Sequence, residues 1–371
     1  MHNSLRLYKK LIKYFNIHFY ICILKKIYYN IAMAEFVSTF ITGFGQLVAK
    51  DLALRLPGVK ILNLYDGLVH YKYDGDSRQL EKIIYFNNTF FVLKSMKGKG
   101  LNFPSLVGAV CSSKNYFLIN KGSFRVRFQN ENQFAKVDKN LTRKVEEFVT
   151  RNSRLTLDRL SPTTEIWFSI RREGYAFCGQ LISKREFTEK NLNKGELRPE
   201  IAYLMCCFAG IKKDDVILEP FCGYGAIPVQ LAKRFPCQKI YVSDIDEEKV
   251  KALQEKKALR PAQGSQTFQG PELDLRQADA FELTHIPDNS IDAIVTDPPW
   301  GLWEDIADIE VFYKKMFISF RRVLKAEGTI TILSARTKEL ETAASTQGYK
   351  IKETLHTLVN GKKASLYCLY R

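Results

Sequence analysis

Beyond residue 195 the chain alternates short apolar runs with helical stretches, and four of the apolar runs end on an acid. "VILEPF" carries Glu219, "KIYVSDID" carries Asp244 and Asp246, "LDLRQADA" carries Asp279 and "IDAIVTDPPW" carries Asp297. Around them lie "RPEIAYLMCCFAG", "AIPVQLAKRF", "EEKVKALQEKKAL" and "VFYKKMFISFRRVL", whose apolar residues recur at helical spacing. "GTITILSA" and "KASLYCLYR" read as late strands. Repeated strand–helix units of this kind predict an α/β fold, a mostly parallel sheet with helices on both faces. In such a sheet, ligands bind in the crevice outside the carboxyl ends of the strands. Four strand-end acids therefore converge on one expected site.

"EPFCGYGAIP" runs from Glu219 to Pro228 in the first strand-to-helix turn. Gly223 and Gly225 permit a tight turn, and Pro228 is tolerated in the first helical turn. The stretch lacks the third glycine of the dinucleotide fingerprint and the Lys-Ser/Thr of a P-loop. An acid at Glu219, in place of a phosphate clamp, suits a ligand with a cationic group. Asp244, about 20 residues beyond the glycine turn, is the expected partner of ribose hydroxyls. Asp246 reads instead as the cap of the following helix. Asp279 is either an acceptor for an adenine amino group or a plain loop acid. Phe221 and Ala280 complete the candidate cofactor set. A sulfonium, a ribose and an adenine together describe S-adenosylmethionine.

"TDPPWG", from Thr296 to Gly301, ends the fourth strand. Pro298 and Pro299 stop the ladder and fix the backbone. The exocyclic amine of a nucleobase is a poor nucleophile, because its lone pair is delocalised into the ring. Asp297 and the Pro298 carbonyl can accept its two N–H bonds and turn the lone pair toward a methyl donor, preorganised by the prolines. Trp300 is expected to stack on the extruded base.

Upstream the pattern differs. "EFVSTFIT" and "GLVHYKY" read as strands, "FGQLVAKDLALRL" as a helix and "SRQLEKIIYF" as a second helix, which predicts a small α+β, ferredoxin-like unit over residues 34–118. "SFRVRFQ" is a strand with alternating arginines, "NLTRKVEEFVTRN" a helix, and "TEIWFSIRREGYAFCGQLI" a pair of strands turning at Glu173-Gly174. These define a second unit over 119–185, and the polar stretch from Lys184 to Lys194 separates it from a domain over 195–371. A formal charge of +16 favours nucleic acid or another anionic surface as partner. Arg125, Arg127, Lys136, Lys139, Arg143 and Lys144 are the candidate phosphate contacts; a solvated charged face is the alternative for each. Arg198 is a further candidate, for the flipped nucleotide or for capping its own helix. The eight cysteines include no C-x-x-C pair and no Cys/His metal spacing, which fits reduced thiols in a cytoplasm and no metal site. Residues 1–33 read as an extension outside the fold; the apolar stretch from Phe15 to Leu24 is too short for a membrane span of about 20 residues.

"EPFCGYGAIP" and "TDPPWG" resemble motifs one and four of class I amino-methyltransferases acting on nucleobases. "SFRVRFQNENQFAKVDKNLTRKVEEFV" with "TEIWFSIRREGYAF" resembles a THUMP domain, the RNA-binding module of several tRNA-modifying enzymes. "GELRPEIAYLM" is similar to the helix before motif one in THUMP-linked guanine-N2 methyltransferases. The resemblance, over roughly residues 35–371, implies a Rossmann-like methyltransferase domain behind a THUMP-like region, and a cytoplasmic, monomeric enzyme. It implies S-adenosylmethionine as cofactor and methylation of guanosine N2 in tRNA, with no metal and no membrane. Relatives often carry Tyr, and a Gly-Ser or Gly-Thr turn, where this chain has Trp300 and Gly223-Tyr224. Ribosomal RNA or an adenine N6 is the alternative target, and an inactive RNA-binding protein the alternative class.

Overall fold

The computed structural model describes residues 34–185, 192–193, 195–255, 270–302 and 306–371. The expected extension at 1–33 lies outside them. The carboxyl-terminal sheet contains β10 (Val216–Glu219), β11 (Lys239–Asp244), β12 (Glu272–Gln277), β13 (Ile291–Thr296), β14 (Leu324–Ser334), β15 (Lys350–Val359) and β16 (Lys362–Tyr370). Its order is β12-β11-β10-β13-β14-β16-β15. The β11–β12, β10–β11, β10–β13 and β13–β14 pairs are parallel, and only the two pairs made by β16 are antiparallel. The order reverses at β10, so the crevice opens between the carboxyl ends of β10 and β13. The α/β expectation holds.

The two faces of this sheet bury different helices because side chains alternate along each strand. Ile217, Ala293 and Val295 pack toward the helix Pro199–Ala209, while Leu218, Ile291 and Ile294 pack toward the helix Ile309–Val323 through Tyr313, Met316, Phe317 and Phe320. The helix Ile309–Val323 starts where Asp308 accepts the Glu310 and Val311 N–H groups at 2.9 and 3.0 Å, which satisfies otherwise orphaned donors.

The amino-terminal strands are β1 (Ala34–Thr39), β2 (Lys60–Tyr65), β3 (Leu68–Tyr73), β4 (Asn88–Lys97), β5 (Gly122–Asn130), β6 (Gln133–Phe134), β7 (Leu155–Leu157), β8 (Thr164–Arg171) and β9 (Tyr175–Lys184). They form one continuous sheet in the order β2-β3-β1-β4-β9-β8-β5-β6, with β7 paired to β5. The boundary expected at 118/119 does not divide it: β4 pairs with β9 along most of its length. The apolar cores divide elsewhere. Leu106, Val107 and Val110, from the helix Phe103–Cys111, share a core with Phe124, Val145, Val149 and Phe168. That helix therefore packs with the second unit, and the change of core falls near residue 100. The helix expected over "SRQLEKIIYF" is a short 3₁₀ segment, Ser77–Lys82. Tyr85 and Phe86 are drawn into the core instead, and tertiary burial overrides helical spacing.

Phe36, Phe40, Val48, Leu52 and Tyr71 of the first unit lie in the same apolar cluster as Ile217 of the carboxyl-terminal sheet and Ile201, Leu204 and Leu231 of the helices packed on it. A polar seam runs beside it. The Tyr203 hydroxyl donates to Asp51 at 2.9 Å, Arg55 Nε donates to the Tyr203 oxygen at 2.6 Å, and the Tyr85 and Tyr203 rings stack at 5.8 Å. Thr357, on β15, donates to the Thr42 carbonyl at 2.8 Å.

Candidate active site

Glu219 ends β10 with no exposure at all. Its Oε1 accepts from the Thr296 hydroxyl at 3.0 Å and from the Phe221 N–H at 3.1 Å. Oε2 is buried without a hydrogen-bond partner. Burial pushes this carboxyl well above the usual range, and the charges of Asp297 and Asp244 push the same way against the two hydrogen bonds. An orphaned buried acceptor is costly unless a donor reaches it.

The glycine turn is built as its residues require. Gly223 (φ +49°) and Gly225 (φ +88°) both adopt the left-handed conformation. The Gly225 N–H donates to the Cys222 carbonyl at 2.8 Å, and the helix Ala226–Arg234 starts on the next residue. A Cβ on Gly225 would drive into the buried Leu253 side chain, whereas one on Gly223 would enter open space. Asp244 accepts the Gly223 N–H at 2.8 Å and the Asp246 N–H at 3.0 Å, one on each oxygen. A carboxylate has about four acceptor sites, so capacity for hydroxyl donors remains. Asp246 accepts the Glu248 N–H at 3.0 Å, the capping contact read from the sequence.

Asp279 Oδ1 accepts the Phe281 N–H at 2.8 Å, and the Ala280 carbonyl accepts from Ser319 at 2.6 Å. Sequence reasoning missed the aromatic wall beside them. Phe312 lies 5.8 Å from the Phe221 ring and 5.0 Å from the Phe281 ring. Phe312 lies in a helical run, where its spacing reads only as core.

The acceptor corner follows β13. Pro298 is buried and Pro299 half-buried. The Pro299 carbonyl accepts from the Tyr313 hydroxyl at 3.3 Å, and the Trp300 carbonyl accepts from Arg336 Nε at 3.1 Å. Trp300 differs from expectation. Its ring is 4% exposed and belongs to the large apolar cluster, so it offers no open face for stacking. Its indole N–H donates to Asp297 Oδ1 at 3.0 Å and to the Leu333 carbonyl at 3.3 Å.

The basic candidates separate into two groups. Arg125 and Glu165 are register partners on β5 and β8 and form an ion pair; Arg127 lies 3.6 Å from the same carboxylate. Trp167 Nε1 donates to that carboxylate too, at 2.6 Å. Lys136, Lys139, Arg143 and Lys144 are exposed, at and before the helix Lys139–Asn152. Phe134, 60% exposed beneath the Arg127 guanidinium at 4.7 Å, is an aromatic the sequence reading passed over. Arg198 makes no side-chain capping bond to its helix; with Arg185 it pairs with the buried Glu200.

Among the described residues no group of three His, Cys, Asp or Glu side chains could hold a metal ion, and no helix is long and apolar enough to cross a membrane. Residues 185–364 match the UPF0020 family, described as the RMKL-like methyltransferase domain. The U6 snRNA (guanine-N(2))-methyltransferase THUMPD2 of Bos taurus is 33% identical over 141 residues, 37% of this chain and 25% of that protein. The tRNA (guanine(10)-N2)-dimethyltransferase of Methanothermobacter thermautotrophicus is 26% identical over 54% of this chain and 59% of its own length. The tRNA (guanine(6)-N2)-methyltransferase of Thermus thermophilus is 28% identical over 49% and 52%. The chain thus spans between 25% and 59% of the length of these curated relatives. In fold, TrmN from Thermus thermophilus superposes with a TM-score of 0.71 at 20% identity, over 91% of this chain and 99% of that one.

Proposed function

We propose, with residues 185–364 as an RMKL-like methyltransferase domain for premise, that this protein methylates the exocyclic N2 amine of a guanosine in tRNA, using S-adenosylmethionine. One observation carries the reading: the Asp297-Pro298-Pro299-Trp300 corner follows β13, whose Thr296 donates to Glu219 at the end of the neighbouring β10, and Asp244 and Asp279 lie at and just beyond the ends of β11 and β12. The three curated relatives above are each named as guanine-N2 methyltransferases of RNA.

Three features of the donor side suit such a ligand. Glu219 Oε2 lacks a hydrogen-bond partner, Gly223 opens onto free space, and Phe221, Phe281 and Phe312 offer apolar surface to an adenine. In this reading Glu219 and Asp244 hold the methionine and ribose portions, with Asp279 and Ala280 at the base. S-adenosylmethionine, bound there, supplies an electrophilic methyl group. Asp297 and the Pro298 carbonyl accept the N–H bonds of the target amine and orient its lone pair. Pro298 and Pro299 keep both acceptors from relaxing.

The protein is incubated with labelled methyl donor and unmodified tRNA, and the RNA is digested to nucleosides. The expected label is N2-methylguanosine. Label in N6-methyladenosine, or label appearing only with ribosomal RNA, overturns the reading.

The exposed cations Lys136, Lys139, Arg143 and Lys144 are proposed phosphate contacts, with Arg125 and Arg127 holding the strand beside them. Four such contacts give a fall in tRNA affinity of about a hundredfold between 50 and 200 mM salt, from a slope of about 0.9 per phosphate. Filter binding with the full chain measures it, because the first unit shares its core with the catalytic sheet. Replacing the four by glutamine should flatten the slope; salt-independent binding by the unaltered chain removes this face from the RNA interface.

A further inference from the structure

Trp300 is the unusual member of the acceptor corner. Its backbone is tied on both sides, through the Pro299 carbonyl to Tyr313 and through its own carbonyl to Arg336. Its ring is buried at 4% exposure among the residues that join the sheet to the helix Pro199–Ala209. Presenting a face of that ring to a nucleobase would mean removing it from this packing. The polar edge of the ring is engaged differently. One indole hydrogen is shared between Asp297 Oδ1 at 3.0 Å and the Leu333 carbonyl at 3.3 Å. The shorter and charge-assisted branch goes to the acid. Leu333 lies on β14, the strand paired in parallel with β13. The indole therefore ties the acid that ends β13 to the backbone of the next strand.

We propose that Trp300 is a positioning residue that acts through Asp297: its N–H holds the carboxylate in one orientation at the end of β13, and the ring is not the stacking platform for the target base. The inference rests on the methyltransferase reading only for the direction of the kinetic effect; the hydrogen bond is testable without substrate. The place of an aspartate carboxylate is set by two torsions, χ1 and χ2, which a donor at a fixed position narrows, and misplacement of a catalytic acceptor costs rate rather than binding. Phenylalanine would keep an apolar ring and lose the donor. Tyrosine would carry its donor at the far end of the ring. Only tryptophan puts an N–H beside the acid while filling the same cavity.

Three measurements test this. With Trp300→Phe, kcat should fall about tenfold to a hundredfold, while KM for tRNA and the Kd for the methyl donor change less than twofold. Because Trp300→Phe removes buried volume, a second variant keeps the shape: site-specific 3-benzothienylalanine at position 300, in which sulfur replaces the indole N–H. It should show the same kcat loss with an unchanged melting temperature. A stacking role predicts the reverse for both variants, with kcat retained or with KM for tRNA raised. The third measurement needs no RNA. In ¹⁵N-labelled protein the indole resonance that disappears in Trp300→Phe should move in Asp297→Asn, while the resonance that disappears in Trp167→Phe stays in place. An unmoved resonance, or kcat within twofold of the unaltered protein in the benzothienyl variant, overturns the proposal. If the unaltered protein methylates no RNA, the function proposed above fails, and the resonance experiment still decides the hydrogen bond.

Discussion

Replacing Asp297 with alanine should lower the rate of methyl transfer by about 10²-fold or more, the effect of removing one preorganised acceptor from a developing charge. Binding of tRNA and of the methyl donor should change little. The acid does not line the glycine turn, and the corner around it keeps its other ties: Thr296 to Glu219, Tyr313 to the Pro299 carbonyl, Arg336 to the Trp300 carbonyl and Trp300 to the Leu333 carbonyl. Asp297→Asn separates charge from geometry. It keeps an acceptor oxygen of the same reach and loses the charge, so it should retain more activity than alanine. Single-turnover kinetics with excess enzyme measure the chemical step directly. Near-unaltered turnover by the alanine variant would remove Asp297 from the chemistry and with it the amine-methylation reading.

The second large effect is structural and reaches the donor crevice. Gly225 stands at φ +88°, a conformation that costs an L-residue about 1–2 kcal/mol, and a side chain there meets Leu253, which is wholly buried. Forcing extra volume into a packed interior adds about 1–3 kcal/mol. Gly225→Val should therefore lose about 2–5 kcal/mol of stability in a urea melt, by those two contributions. It should also weaken donor binding at least tenfold, because the turn is closed by the Gly225 N–H on the Cys222 carbonyl. Gly210→Ala is the control. Gly210 is also left-handed, at φ +64°, but a Cβ there meets nothing within 4 Å. It should lose only the conformational part and bind the donor normally. Equal effects at the two glycines would mean that the turn at Gly225 has no bearing on the crevice.

The carboxyl-terminal sheet was legible because its signals are local. β10, β11 and β13 are apolar runs with an acid at or next to their ends, and period and punctuation lie within ten residues of each other; β12, ELDLRQ, is more polar and has its acid two residues beyond its end. The strand Lys350–Val359 escaped detection for the opposite reason. "KIKETLHTLV" is charged and half exposed, an edge strand paired only with β16, so burial leaves a weak mark on its sequence. β4 gave no clean alternation, since its pairing with β9 shifts register twice. Arg125 shows the limit in the site itself. Its alternation with Arg127 was visible, but its partner Glu165 is 40 residues away and meets it only because β5 and β8 are parallel neighbours. Trp300 lies three residues from Asp297, close enough to notice. Whether its indole turns toward the acid or toward a ligand is a rotamer choice set by the surrounding core, and sequence spacing carries no information on it.

The seam between the first unit and the catalytic sheet bears on where deformation must occur. Phe36, Val48, Leu52 and Tyr71 interlock with Ile201, Leu204 and Leu231, and Asp51 and Arg55 clasp Tyr203 across the joint. Sliding one part over the other would expose apolar surface and break charged hydrogen bonds together, a combined cost that thermal motion rarely meets. The helix Lys139–Asn152 packs on the sheet that continues from the first unit, and on the proposed function its exposed cations and the Asp297 corner would act as two jaws of a fixed caliper. On the proposed function, the compliant partner is the nucleic acid: the strand carrying the target guanosine must unstack and bend to span that gap, and an RNA's willingness to distort becomes part of its selection.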